Sequence, residues 1–232
     1  IAVSGVSVSL FIERDYSPNR PPGTRLRNGT RVEGLRLTPR LVAKLLTQSY
    51  SQSVWIRDGG PTYLRGNPLS LVDDPEFRQV NQSLVGADAV GDLDNQRDTL
   101  AKLTVTADSS DAVRLVWEWV LADPASREFL AGKPDQWGMV VNQYYRGLEH
   151  YEVEGRPRAD IPRLDQSCID VPIDQIGTTK AVCALDAAPY APSLDQAAAL
   201  AARGQPQGFE SFVQDAVNPT VYKPARRWAP ED

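Results

Sequence analysis

TADSSDAVRLVWEW, residues 106–119, passes from a hydroxyl-rich turn straight into an amphipathic run. Val113, Val116, Trp117, Val120 and Leu121 recur at helical spacing, with Asp111, Arg114 and Glu118 largely on the opposite side, which predicts a helix over about residues 109–122. The first turn of a helix has four backbone N–H groups without internal partners. Ser109, Ser110, Asp108 and Asp111 surround those groups, so the turn either caps the helix or holds a ligand. Two carboxylates there repel an incoming anion and suit a cationic, amide or sugar-hydroxyl group better. Trp117 and Trp119 lie two apart on the helix and cannot both face one core, so one of them packs at an interface.

Strand and helix signals alternate outward from this element. IAVSGVSVSLFIE at the start has Val6, Val8, Leu10 and Ile12 on one face, as a strand does, and suggests a chain that opens inside a strand as a processed or excised product. Residues 14–34 mix Pro, Gly, Asn and Arg without apolar periodicity and are expected to form a loop insertion. Thr38-Pro39, followed by Leu41, Val42, Leu45 and Leu46, predicts a helix over about residues 39–49. Asp74-Pro75 and Asp123-Pro124 repeat that start, and Gly132 is placed to close the second of them. WGMVVN (137–142) and IGTTKAVCAL (176–185) read as strands. Ser193 and Gln196 in capping-box spacing, with Gly204 as a stop, predict a helix over about residues 194–203. The reading is an α/β domain over residues 1–204 followed by an irregular extension over 205–232.

The totals exclude several classes. The 232 residues are 41% hydrophobic, enough for a sizeable core, and 30 acidic against 25 basic residues give a net charge of −5. No basic run interleaves with aromatics, so nucleic acid is not an expected partner. No apolar run reaches the roughly 18–20 residues of a membrane span, and neither a leader nor an anchor is expected within this stretch. Cys168 and Cys183 are the only cysteines and lack zinc-site spacing; a disulfide between them depends on an oxidising compartment.

LRLTPRLVAKLLTQSY (35–50), Trp55, DPEFRQVN (74–81) and the DSSDAV turn (108–113) occur in the order found in the second lobe of phosphate-binding proteins of bacterial ABC importers, and the chain resembles that class 2 periplasmic-binding-protein family over about residues 1–150. Together with PDQWGMVVNQYYRG (134–147), the phrasing looks closer to large secreted actinobacterial proteins that carry such a domain. The resemblance implies a mixed sheet flanked by helices, here with long irregular loops, and a helix mouth that grips an anion. Asp108 and Ser110 match the family's D-G-S-G-T loop, but Asp111 replaces its second glycine, Ala112 its threonine, and Thr106 the arginine two residues before the aspartate. Losing a guanidinium and gaining a carboxylate argue against free phosphate.

Catalytic chemistry finds little support. His150, the sole histidine, sits among acidic residues and reads as a loop histidine, and no GxSxG elbow is present. Asp73-Asp74, Asp92/Asp94 and Glu152/Glu154 are not spaced to flank a glycosidic bond, and Asp88, Asp92 and Asp94 lack the calcium-loop pattern. The expectation is a non-catalytic, cofactor-free, solute-binding-like lobe of an extracellular or surface-held protein. Asp108, Ser109, Ser110 and Asp111 are its candidate contacts with a small polar solute, and a first lobe or neighbouring domain is its partner. The rival reading is a structural or adhesive module that kept the fold and lost the ligand.

Overall fold

A computed structural model describes residues 6, 14, 21–27, 29–53, 61–82, 93, 100–101, 109–172, 178–187, 212–214 and 222–224. Within them the chain is mixed α/β. A short turn of helix, α1 (Pro22–Arg25), lies inside the segment expected to be a loop. Four further helices each begin at a polar side chain that takes up a free N–H. Thr38 caps α2 (Pro39–Leu46), its hydroxyl accepting from the Leu41 N–H at 3.2 Å. Asp74 caps α3 (Pro75–Val80) through the Glu76 N–H at 2.8 Å. Ser110 caps α4 (Asp111–Ala122), and Asp123 caps α5 (Pro124–Leu130) through the Ser126 N–H at 2.8 Å. Gly132, at φ +99°, supplies the left-handed residue that turns the chain out of α5.

The apolar faces of α2, α4 and α5 meet in one core. Leu41, Val42, Leu45 and Leu46 of α2 pack with Val113, Trp117, Val120 and Leu121 of α4 and with Phe129 and Leu130 of α5. Trp117 is fully buried and lies 4.8 Å, centroid to centroid, from the Tyr151 ring. Its indole N–H donates to the Asp160 carbonyl at 3.0 Å, so the polar edge of the largest core side chain is satisfied. Trp119, two residues on, stays 45% exposed, as the spacing of the pair requires.

Among the described residues, strands enter as three antiparallel pairs: β1 (Glu152–Val153) with β2 (Arg156–Pro157), β3 (Cys168–Pro172) with β4 (Thr179–Cys183), and β5 (Phe212–Gln214) with β6 (Tyr222–Pro224). Glu154 (φ 52°) and Gly155 (φ 74°) form the turn of the first hairpin, where positive φ at both positions matches the strand twist. A disulfide joins Cys168 to Cys183, which face each other in the β3–β4 register.

Three sequence expectations are corrected. WGMVVN is not a strand: the Met139 and Trp137 N–H groups both donate to Asp135 Oδ1 at 2.9 Å, that of Val140 to Asn67 Oδ1 at 3.1 Å and that of Asn142 to Ser49 Oγ at 3.0 Å. Side chains thus take the bonds that a neighbouring strand would have made. The strand expected over residues 176–185 is shorter, and the first part of that run passes to residues outside the described set. The extension over 205–232, expected to be irregular, contains the β5–β6 ladder. The opening strand (apart from Val6), the helix expected over 194–203, and Asp108 lie outside the described residues.

Candidate functional site

Two polar centres stand out, one sealed and one open. The sealed centre grows from α2. Lys44 lies on the helix face that carries Leu41 and Leu45, and its side chain is fully buried. Its Nζ is 2.8 Å from Asp74 Oδ2, 3.0 Å from Glu76 Oε2 and 2.8 Å from Asp135 Oδ2. Around this ammonium the Tyr50 hydroxyl donates to Asp74 Oδ2 at 2.8 Å, and Arg40 Nε donates to Glu76 Oε2 at 2.8 Å. The Thr38 hydroxyl donates to Glu76 Oε1 at 2.6 Å.

Burial alone would push the Lys44 pKa down, but the charges of Asp74 and Glu76 and the bonds to Asp135 and Asp74 outweigh it, and the net shift is upward. Burial would likewise raise Asp135, yet the hydrogen bond and charge of Lys44, with the Met139 and Trp137 N–H groups, hold it below the ordinary value. Tyr50 is pushed well above the ordinary range, first by burial and then by Asp74. Three carboxylate oxygens from Asp74, Glu76 and Asp135 lie within 4.8 Å of one another, a donor set that could hold a metal ion. The Lys44 ammonium already stands at their focus, so the cage carries its own cation and serves as a structural centre tying α2, α3 and the 135–139 turn together.

The open centre lies at the mouth of α4. Ser109 pairs with Asp160 in an isolated antiparallel bridge, and the Ser110 N–H donates to the Ala159 carbonyl at 2.7 Å. The Arg158 N–H donates to the Tyr151 carbonyl at 2.9 Å, so residues 158–160 are clamped between α4 and the β1–β2 hairpin. A cleft of about 480 Å³ opens here, its polar lining made by Ser109, His150, Arg158, Asp160 and Arg163. Ile161, Pro162 and Leu164 supply the apolar part. Arg158 grips Asp160 with Nε on Oδ1 at 2.7 Å and an Nη on Oδ2 at 2.5 Å. That bidentate bond holds the Asp160 carboxyl below its ordinary range against partial burial, and raises Arg158 in turn.

The sequence candidates separate at this point. Ser109 is exposed and lines the cleft. Ser110 Oγ accepts from the Val113 N–H at 3.2 Å and is engaged as the cap. Asp111 turns outward, its side chain 88% exposed, and pairs with Arg114 at 3.1 Å. Of the described members of the turn, one contributes to the cleft, one to the helix and one to the surface.

Ser109, His150 and Asp160 share the cleft without forming a triad. The Asp160 carboxylate is committed to Arg158, and among the described residues no hydrogen bond joins the imidazole to either partner. A nucleophile needs both links. No family model, curated protein or solved structure matches the chain.

Proposed function

We propose that the chain is a non-catalytic solute-binding module, a lobe of the class 2 periplasmic-binding-protein type from a secreted or surface-held protein, whose ligand is a small polar solute other than free phosphate. The observation that carries this reading is the cleft at the α4 mouth. It joins a hydroxyl and charged groups to an apolar floor on a clamped backbone, the composition of a small-molecule site. The Cys168–Cys183 disulfide supports an oxidising compartment. Leu115 and Trp119, one turn apart on the outer face of α4 and each 45% exposed, are apolar area that a companion lobe or neighbouring domain would cover. One feature favours the structural-module reading instead: the Ser110 hydroxyl is spent on the cap and Asp111 faces solvent, so the turn itself offers a ligand little.

Thermal melts against a panel of anions, sugars and amino acids distinguish the two. A ligand at about 100 times its Kd adds about 2.7 kcal/mol to the folded state and raises the Tm accordingly. Ser109→Trp, which fills the cleft from its rim, should remove that shift. Melts that stay flat across the panel leave the structural module as the better account.

A further inference from the structure

We infer that the Cys168–Cys183 disulfide is a reducible latch on the open cleft: a dithiol reductant opens it in the folded protein, and the cleft wall from Ile161 to Leu164 loosens when it opens. That the opening also releases a solute rests on the reading of the cleft as a binding site. The latch itself does not. Cys168 and Cys183 stand directly opposite each other at the end of the β3–β4 ladder. Cys168 is exposed and Cys183 half-buried, so a reductant reaches the bridge without unfolding the core. Among the described side chains along the ladder, Asp170, Thr179 and Ala181 are exposed and Ile169 is half-buried. A two-stranded hairpin with so little buried face is marginal in water, and the covalent bond carries much of its order.

The wall is strung between two anchorages. At its start the Ala159 carbonyl accepts from the Ser110 N–H and the Asp160 carbonyl from the Trp117 indole, which fixes the chain to α4. Residues 161–164 then line the cleft, and the next residue is Asp165, a buried carboxylate that accepts from Tyr63, Asn142 and Ser167. The Ser167 carbonyl accepts from the Ala184 N–H, and the Ala184 carbonyl from Gln48 Nε2. Ser167 precedes Cys168 and Ala184 follows Cys183, so the disulfide closes this second anchorage directly. Once β3 and β4 are free to part, the Ser167–Ala184 bond frays with them, and the wall keeps only its hold at α4 firm.

The reaction is thiol–disulfide exchange. A reductant thiolate attacks Cys168 Sγ, the S–S bond breaks, and its electron pair leaves on Cys183 Sγ, which takes a proton from solvent. The second thiolate of the reductant then attacks its partner sulfur in the mixed disulfide and releases Cys168 as a thiolate that is protonated in turn. The dithiol ends as a disulfide and the cysteine pair as two thiols. In an oxidising compartment the closed form is the resting one.

The test uses the folded protein without denaturant. Dithiothreitol, followed by iodoacetamide and intact-mass analysis, should label both cysteines while the far-UV circular dichroism stays that of the folded protein. Ladder amides should then exchange about a hundredfold faster, the factor equivalent to the loop entropy of a bridge with this sequence separation. The amide signals of Ile161, Leu164 and Ser167 should move, and reoxidation should return them. Cys168→Ser with Cys183→Ser should show the reduced pattern without any reductant. A bridge that resists dithiothreitol until urea unfolds the whole chain overturns the latch. Ladder amides that exchange faster while the signals of 161–167 stay in place overturn its link to the cleft, as does a double variant whose wall signals match the oxidised protein. Where the panel melts yield a solute, its Kd should rise about tenfold on reduction. An unchanged Kd beside a moved wall overturns the release of solute. A wall that moves when no solute of the panel binds supports the latch and counts against the solute-binding reading alone.

Discussion

Lys44 Nζ lies 2.8 Å from Asp74 Oδ2 with both side chains completely withdrawn from solvent, and the bond joins the buried face of α2 to the residue that caps α3. A charge pair in this setting is worth little beyond its desolvation cost while intact, but removing one partner strands the other. Lys44→Met should therefore destabilise the fold by about 3–5 kcal/mol, because Asp74, Glu76 and Asp135 are left crowded together, with Arg40 the one remaining cation paired to them among the described residues. Urea denaturation measures this. The deficit should shrink at pH 5 relative to pH 7, since carboxylates that have lost their cation take up protons more readily. A deficit that does not change with pH would show that lost packing, rather than stranded charge, is responsible.

The same cage fixes the sign of the pH dependence. Asp135 is held below its ordinary value of 3.8, so its contribution is complete above that value and disappears as pH falls through the lower folded-state value. Lys44 is held above its ordinary value of 10.5, so its contribution is complete below that value and disappears as pH rises through the higher folded-state value. Stability should stay level between these limits as far as this pair is concerned. Asp135→Asn should flatten the acid limb below about pH 4 and leave the neutral region without a new slope. Melting temperatures taken every half unit of pH check it. An acid limb unchanged in the variant would assign the limb to other carboxylates.

Adjacent serines with different roles give a second contrast. Ser110→Ala removes the cap of α4 and should cost about 0.5–2 kcal/mol, while Ser109→Ala, at an exposed position in a bridge made by backbone, should stay within about 0.5 kcal/mol of the parent. If Proposed binding holds, the ranking reverses for ligand affinity, with Ser109 the more sensitive. Equal stability losses at the two positions would contradict the division of labour between them.

Features that depend on neighbours in sequence could be read from the chain. Thr38, Asp74, Ser110 and Asp123 announce helix starts because a cap bonds an N–H only two or three residues away. The exposure of Trp119 follows from the same local geometry. Lys44 left a trace that sequence reasoning passed over: in LTPRLVAKLL it shares the apolar face, and a cation on a buried face calls for acids. Which acids answer could not be read, since Asp74 lies 30 residues away and Asp135 farther still. The cleft was hidden for the same reason. Ser109 meets Asp160 only after the chain has made α4, α5 and the first hairpin. The misread strand at 137–142 shows the converse, where an apolar run satisfies its backbone through Asn67, Ser49 and Asp135 and needs no sheet.

The disulfide ties the β3–β4 hairpin at the end where it meets the core. Next to Cys183, the Ala184 N–H donates to the Ser167 carbonyl at 2.9 Å, and the Ala184 carbonyl accepts from Gln48 Nε2 at 3.0 Å. On the other strand, Ser167 bonds Asp165, a fully buried carboxylate that also accepts from Tyr63 at 2.5 Å and Asn142 at 3.0 Å. The bridge closes a loop with a sequence separation of 15, for which the chain-entropy account gives about 3 kcal/mol of stabilisation. Replacing both cysteines with serine, or reducing the protein, should lower the Tm by that equivalent. In native-state hydrogen exchange, the loss of protection should begin at residues 168–172 and 179–183 before it reaches α2 or α4, because the helices keep their own apolar core. Simultaneous loss of protection in the hairpin and the helices would mean that the bridge holds the whole domain rather than its edge.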